Sequence, residues 1–546
     1  MTLSIQPQPT GVRPLRGVVI LRMAAATIIC VVFAPLLVVF SSWLTPADDI
    51  FQHLLQTELW GVLMNTFRLL LGVAFGTTVL GVTLAWLTAA FEFPGRAIFH
   101  WALVLPLAIP AYVLAFVNIA LFDVTGVVQN FMRAQFVFSS FPGIRGTGGI
   151  IWVMTLAFYP YVYLLARNGF LTSGNRAMEA ARSMGYRPVR AFFKVALPMA
   201  KPMIISGLLL ALMETLSDFG AVSIFNYDTL TTTLYKAWFS MFSVNAATKI
   251  SFILVVFSFI LLLLEQRGIK GRFAFSSQKQ TAPIVRKKLV GVSSYLASFY
   301  CFLILFFAFI IPVIYLLSGA LTVFHDDFNA RYFGFLNRSI LLAALAALLT
   351  VLSALILVYT GRYSRRASTA FFMKLATLGY ALPGAIFAVG GIVLVTSFDH
   401  QLKEWGIHSD FFITGTFVAM MMGYVARFMA LAHNPLDSAM RKITPYLDEA
   451  AQSLGAGRLR IIWKVHTPLL RGGLAVSAIF VFVDMMKEMP ITLMTRPFGW
   501  DTLAVRIFEF TSEGEWERAA LPALTLVIVG LIPVILLTKQ SFRSDH

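Results

Sequence analysis

Met178-Glu-Ala-Ala-Arg-Ser-Met-Gly185, running into Val195-Ala-Leu-Pro198, occurs a second time as Asp448-Glu-Ala-Ala-Gln-Ser-Leu-Gly455, running into Val465-His-Thr-Pro468. Glu449 follows Glu179, Gly455 follows Gly185 and Pro468 follows Pro198 by the same 270 residues. The register carries on downstream, where Leu212-Met-Glu-Thr-Leu-Ser-Asp-Phe-Gly220 aligns with Phe482-Val-Asp-Met-Met-Lys-Glu-Met-Pro490. Self-similarity at a fixed offset means two like structural units. Any function must use both.

The stretches around the repeat are apolar. Of 546 residues, 58% are hydrophobic and only 13% are charged, with a mean hydropathy of +0.79. A soluble domain is about a quarter charged, so the composition is that of an all-α, multi-span membrane protein lying in a lipid bilayer. The two cysteines, Cys30 and Cys301, fall in apolar runs in different halves and give no metal-finger spacing. A net charge of +17 is compatible with nucleic acid as a partner. However, the Lys and Arg sit mostly in loops between apolar runs, which is what membrane topology produces, so no nucleic-acid partner is expected.

In order along the chain, a basic tail with Arg13 and Arg16 leads into an apolar run from Val18 to Trp43. That run is longer than the roughly 7–15 apolar residues of a signal peptide and reads as a retained first span. Further spans are expected near 61–91, 97–122, 148–171, 199–222 and 247–265, then near 290–320, 336–360, 371–396, 411–433, 469–491 and 519–538. The basic segments 172–197 and 267–288 mark the inner side, and Asp48, Asp49, Glu58, Glu513, Glu515 and Glu517 the outer side. About twelve spans and two cytoplasmic termini follow. The expected divisions are a tail and first helix (1–60), a first unit (61–266), a basic cytoplasmic linker (267–288), a helix and outer loop (289–335) and a second unit (336–540).

The repeated segment itself is too charged to span a bilayer and rich in helix formers. Gly185 and Gly455 suit the left-handed residue that ends a short helix, and Pro198 the first turn of the next one. Ala180 and Ala181, like Ala450 and Ala451, leave little side-chain bulk, so a partner surface can approach the backbone closely. Glu179 and Glu449 add one directional charge each. Two such elements in one register read as a pair of docking helices.

These residues resemble the EAA signature of permease subunits in binding-protein-dependent ABC importers: Glu-Ala-Ala, three residues, Gly, nine residues, then Ile-x-Leu-Pro. The fit falls at Glu179, Ala180, Ala181, Gly185, Val195, Leu197 and Pro198, and at Glu449, Ala450, Ala451, Gly455, Val465 and Pro468, with Val for Ile twice and Thr467 for Leu. The resemblance implies two tandem ABC type-1 permease units with pseudo-twofold symmetry, in a bacterial inner membrane. It also implies that each docking helix sits in a groove on one of two copies of an ATP-binding subunit. The chain shows no phosphate-cradling G-x-x-x-x-G-K-[ST], so it is expected to be no enzyme and to bind no cofactor, ATP being used by the partner subunit. Ser217-Asp-Phe-Gly220, Asp228-Thr-Leu, Lys487-Glu-Met-Pro490 and Asp501-Thr-Leu-Ala-Val-Arg506 look like ferric-iron importers, implying an extracytoplasmic ferric-iron-binding protein as the second partner. Thiamine permeases share this fused architecture.

Glu214 and Asp218, and again Asp484 and Glu488, stand at i, i+4, hence on one helix face. Intramembrane carboxylates are costly and usually face a cavity or a partner. One reading is a ring of hard oxygen donors on a translocation path, suited to a hard cation. The other is structural, with Asp218 about 30 Å beyond Pro198 at the outer surface, solvated or paired with Lys487 or Arg506. Which residues hold a metal is not legible: the scattered His53, His100, His325, His400, His408 and His433 read as solvated or capping. An ion-coupled secondary transporter also has internal repeats but no use for paired docking helices. A polytopic enzyme would need a convergent catalytic cluster, and the sequence offers none.

Overall fold

A computed structural model describes residues 16–135, 143–174, 185–186, 188–269, 286–364, 367–406 and 416–542. Among them, eleven helices are long and apolar enough to cross a membrane. Thr416–Arg441, 26 residues long with Arg427 and His433 in its interior, stands where the remaining expected span lies. The two halves repeat one plan. Leu59–Ala90, Thr147–Gly169, Leu197–Ser217 and Val244–Ile269 in the first correspond to Ala330–Tyr363, Thr416–Arg441, Thr467–Lys487 and Trp516–Phe542 in the second.

In a bilayer, helices gain little from burying apolar surface against one another, so close backbone packing holds them. Gly72 and Gly76 lie one turn apart on Leu59–Ala90, and a Cβ at either would collide with Ile151 or Thr155 on Thr147–Gly169, at 2.3 and 2.4 Å. The second half places the fully buried Ala343 and Ala346 on the matching helix. Lys249, also buried, is satisfied as a cap: its ammonium donates to the carbonyls of Ser42 and Thr45 at 2.8 and 2.9 Å, just past the first helix.

Two expected single spans are broken. The first comprises Arg96–Ala102, a 3-10 turn at Leu105–Ala108 and Ala111–Phe122; the second comprises Ala367–Thr377, a turn at Leu378–Ala381 and Gly384–Glu404. Pro110 and Pro383 each take the N-cap position of the helix that resumes. Proline lacks the N–H that would continue the preceding helix and its ring clashes with the carbonyl four residues back. Pro198 and Pro468 also depart from expectation. Each lies in a helix that is already under way at Pro188–Ala191 or Arg458–Ile461. The helix passes through a π turn at Phe192–Ala196 or Ile462–His466 before the proline, and such a register shift accommodates its missing donor.

Of the 267–288 linker, 270–285 lie outside the described residues. Its far end is fixed: Lys287–Lys288 pair in parallel with Phe91–Glu92, tying the start of the second half to the first.

Candidate functional site: a carboxylate-lined cavity and an exposed helix

The helix Leu197–Ser217 stops at Asp218, and Thr467–Lys487 stops at Glu488, 270 residues later. Both residues leave the helical region, with ψ of 131° and 123°. Each carboxylate then turns back to cap the short helix that follows. Asp218 accepts from the backbone N–H of Ala221 and Val222 at 2.8 and 3.3 Å, and Glu488 from those of Ile491 and Thr492 at 2.9 and 3.2 Å. This satisfies donors that every helix start leaves open. The expectation of one shared helix face is thus corrected, because the helix ends between the two members of each pair. The expected partner Arg506 also lies elsewhere, bonded to Glu509.

All four carboxylates nevertheless line one cavity of about 160 Å³ between the two halves. Glu214 lies beside the Tyr380 hydroxyl and within electrostatic reach of Asp484, Arg427 and Lys487. Asp484 faces Lys487 and Arg427. Lys487 reaches across the halves to donate to the Leu107 carbonyl at 3.0 Å, and Arg427 donates to that of Leu382 at 3.1 Å. Tyr112 and Tyr161 complete the polar wall. The broken backbone at Ile109, Pro110 and Asp218 to Gly220, and at Glu488 to Pro490, lines this cavity too. Irregular backbone at membrane depth is tolerated where it borders such a space. The cavity can hold several waters or one partly hydrated ion. Four acidic side chains against two basic ones favour a cation there over an anion.

Arg427, Tyr161 and Tyr380 did not emerge from the sequence reading. An arginine in the middle of an apolar span was the available signal; the tyrosines carried none. Among the described residues no group of three or more His, Cys, Asp or Glu is arranged to hold a metal. His53, His325 and His400 are exposed, and His408 lies outside the described residues. His433, by contrast, is buried at 8% exposure, so its expected solvation is corrected. The paired Asp-Thr-Leu motifs are helix starts: Thr229 precedes Leu230–Tyr235 with a capping box, and Thr502 accepts from the Val505 N–H.

Of the two docking segments, Glu179, Ala180 and Ala181 lie outside the described residues. Gly185 is described and left-handed, with φ of +80°. The second segment is a helix, Pro445–Ser453, with no buried residue. Glu449 and Ala450 are exposed, Ala451 is partly covered, and Tyr446, Leu447 and Leu454 expose large apolar surfaces beside them. Gly455 ends the helix at φ of +77°, and the Ala456 N–H closes back on the Ala451 carbonyl at 3.0 Å. That is the glycine-ended cap expected from the sequence.

Residues 77–265 match the family of binding-protein-dependent transport system inner membrane components. With the family's domain matched in the first half and its motif repeated 270 residues on, the chain has the make-up of a fused, two-unit inner-membrane permease of the ABC-importer type. It is a transport subunit, working with ATPase and substrate-binding partners. Its relatives narrow the class. The Fe(3+)-transport system permease protein FbpB 2 of Haemophilus influenzae is 29% identical over 90% of this chain and 92% of its own length. The ferric transport system permease protein FbpB of Actinobacillus pleuropneumoniae is 21% identical over 90% and 72%. The sulfate transport system permease protein CysT of Salmonella typhimurium is 27% identical over 33% of this chain and 68% of its own.

Proposed function

We propose that the chain carries ferric iron from an extracytoplasmic iron-binding protein into the cytoplasm. The observation that supports this most is the cavity between the halves, where Glu214, Asp218, Asp484 and Glu488 outnumber Arg427 and Lys487. Carboxylate and phenol oxygens suit a hard cation, whereas sulfate would meet an excess of acids. Asp218 and Glu488 hold the cavity's shape through their caps, and Glu214 and Asp484 present oxygens to the passing ion. Binding there is weak by design, since an ion held by a full ligand set would not leave.

Two copies of an ATP-binding subunit dock on the helices around Glu179 and Glu449, one per unit (61–266 and 336–540), on the cytoplasmic face with both termini. The chain binds no cofactor of its own; ATP is used by those subunits. Cells lacking the chain, starved of iron and given radiolabelled ferric iron, test the substrate. Restoring the chain should restore ATP-dependent uptake. Unchanged iron uptake, with thiamine uptake restored instead, would contradict the proposal.

A further inference from the structure

The two docking segments carry different side chains at matching positions. In the second half, Asp448, next to Glu449, points back into the protein. Its Oδ1 lies 2.7 Å from Nε2 of His466, and its Oδ2 accepts from Arg362 Nη2 and Nε at 3.0 and 3.2 Å. His466 is fully buried, with its Nδ1 3.2 Å from the Tyr359 hydroxyl and its ring stacked on Tyr359 at 5.7 Å. Arg362 also donates to the Ile443 carbonyl at 2.9 Å, just before the docking helix begins. One carboxylate therefore ties Pro445–Ser453 to Ala330–Tyr363 and to the helical segment leading into Thr467–Lys487, which carries Asp484. In the first half, the positions matching Asp448 and His466 are Met178 and Ala196, and neither can form such bonds.

We propose that Asp448 and His466, with Arg362 and Tyr359, are positioning residues that make the second docking helix and its two membrane helices one rigid lever. This rests on the docking role proposed for that helix. Charge-assisted bonds in a partly water-excluded site are short and directional, so a displacement of the helix is carried to the bundle rather than absorbed at its hinge. Transmission from the two ATP-binding subunits is then unequal. The second half passes the stroke through fixed side-chain bonds that Met178 and Ala196 cannot form at the matching positions of the first half.

The test uses the permease with its ATP-binding subunits in proteoliposomes, supplied with the iron-loaded binding protein. The readouts are ATPase co-purification and iron ions moved per ATP hydrolysed. Asp448→Asn and His466→Gln should each lower that ratio about tenfold while the ATPases still co-purify and hydrolyse ATP. The double variant should be no worse than the poorer single one, as expected for residues acting as one unit. An unchanged ratio in the Asp448 or His466 variants, or losses that multiply in the double variant, would overturn the proposal. Loss of the ATPases from the Asp448 variant would overturn it too, by making Asp448 part of the docking surface. If Asp448→Asn does not insert, Tyr359→Phe removes one hydroxyl only, and an unchanged ratio there counts against the lever. Glu449→Arg separates the two ideas: normal ATPase co-purification in that variant would sink the docking role itself.

Discussion

The four cavity carboxylates differ in what they touch, two capping helix starts and two not, and the distinction predicts different failures. Asp218 and Glu488 close helix starts, so Asp218→Ala and Glu488→Ala should destabilise the protein. A lost cap costs about 1 kcal/mol, and leaving buried donors unsatisfied raises that to about 2–3 kcal/mol. Glu488 is the more buried of the two, at 6% exposure, so its variant should melt lower in thermal unfolding of the detergent-solubilised protein. Glu214→Gln and Asp484→Asn cap nothing. They should leave the melting temperature nearly unchanged and slow iron uptake about tenfold, equivalent to ~1.4 kcal/mol on the barrier. Normal uptake by the Glu214→Gln, Asp484→Asn double variant would remove these residues from the path. The sequence showed all four acids through the 270-residue register. It did not separate their tasks, because the helix ends between the members of each pair and i, i+4 spacing carries no sign of that break. His466 was equally opaque: its partners Asp448 and Tyr359 are 18 and 107 residues away, and only folding brings them together.

At the scale of elements, the close crossing of Leu59–Ala90 with Thr147–Gly169 depends on missing side chains. Gly76→Leu places a branched side chain where a Cβ would already stand 2.4 Å from the Thr155 hydroxyl, while Gly61 on the same helix has open space around it. Overpacking of this kind typically costs about 1–3 kcal/mol. Gly76→Leu should therefore lower the melting temperature and Gly61→Leu should not; equal effects would show that the crossing is not set by the glycines. Element positions were largely legible from apolar runs. The breaks at Pro110 and Pro383 were not, since a proline inside an apolar run reads equally well as a kink. The π turns ahead of Pro198 and Pro468 leave no mark in hydropathy. The left-handed Gly185 and Gly455 were readable because few other residues adopt that backbone conformation without strain.

For the whole molecule, two like units line one shared cavity, and the described docking segment, Pro445–Ser453, buries none of its residues. Reversing both proposed docking charges, Glu179→Arg with Glu449→Arg, should abolish ATPase co-purification while membrane insertion stays intact. One reversal alone should only weaken it. The repeat, the span count and the permease class were legible because each follows from periodicity and composition over hundreds of residues. The shape of the cavity was not, because it is built from both halves at once. The most direct test of the account reconstitutes the permease with its ATP-binding subunits in proteoliposomes and adds the iron-loaded binding protein outside and ATP inside. Radiolabelled iron should accumulate only with hydrolysable ATP, and not at all in the Glu179→Arg, Glu449→Arg double variant. Accumulation driven by a proton or sodium gradient without ATP, or undiminished in that variant, would contradict it.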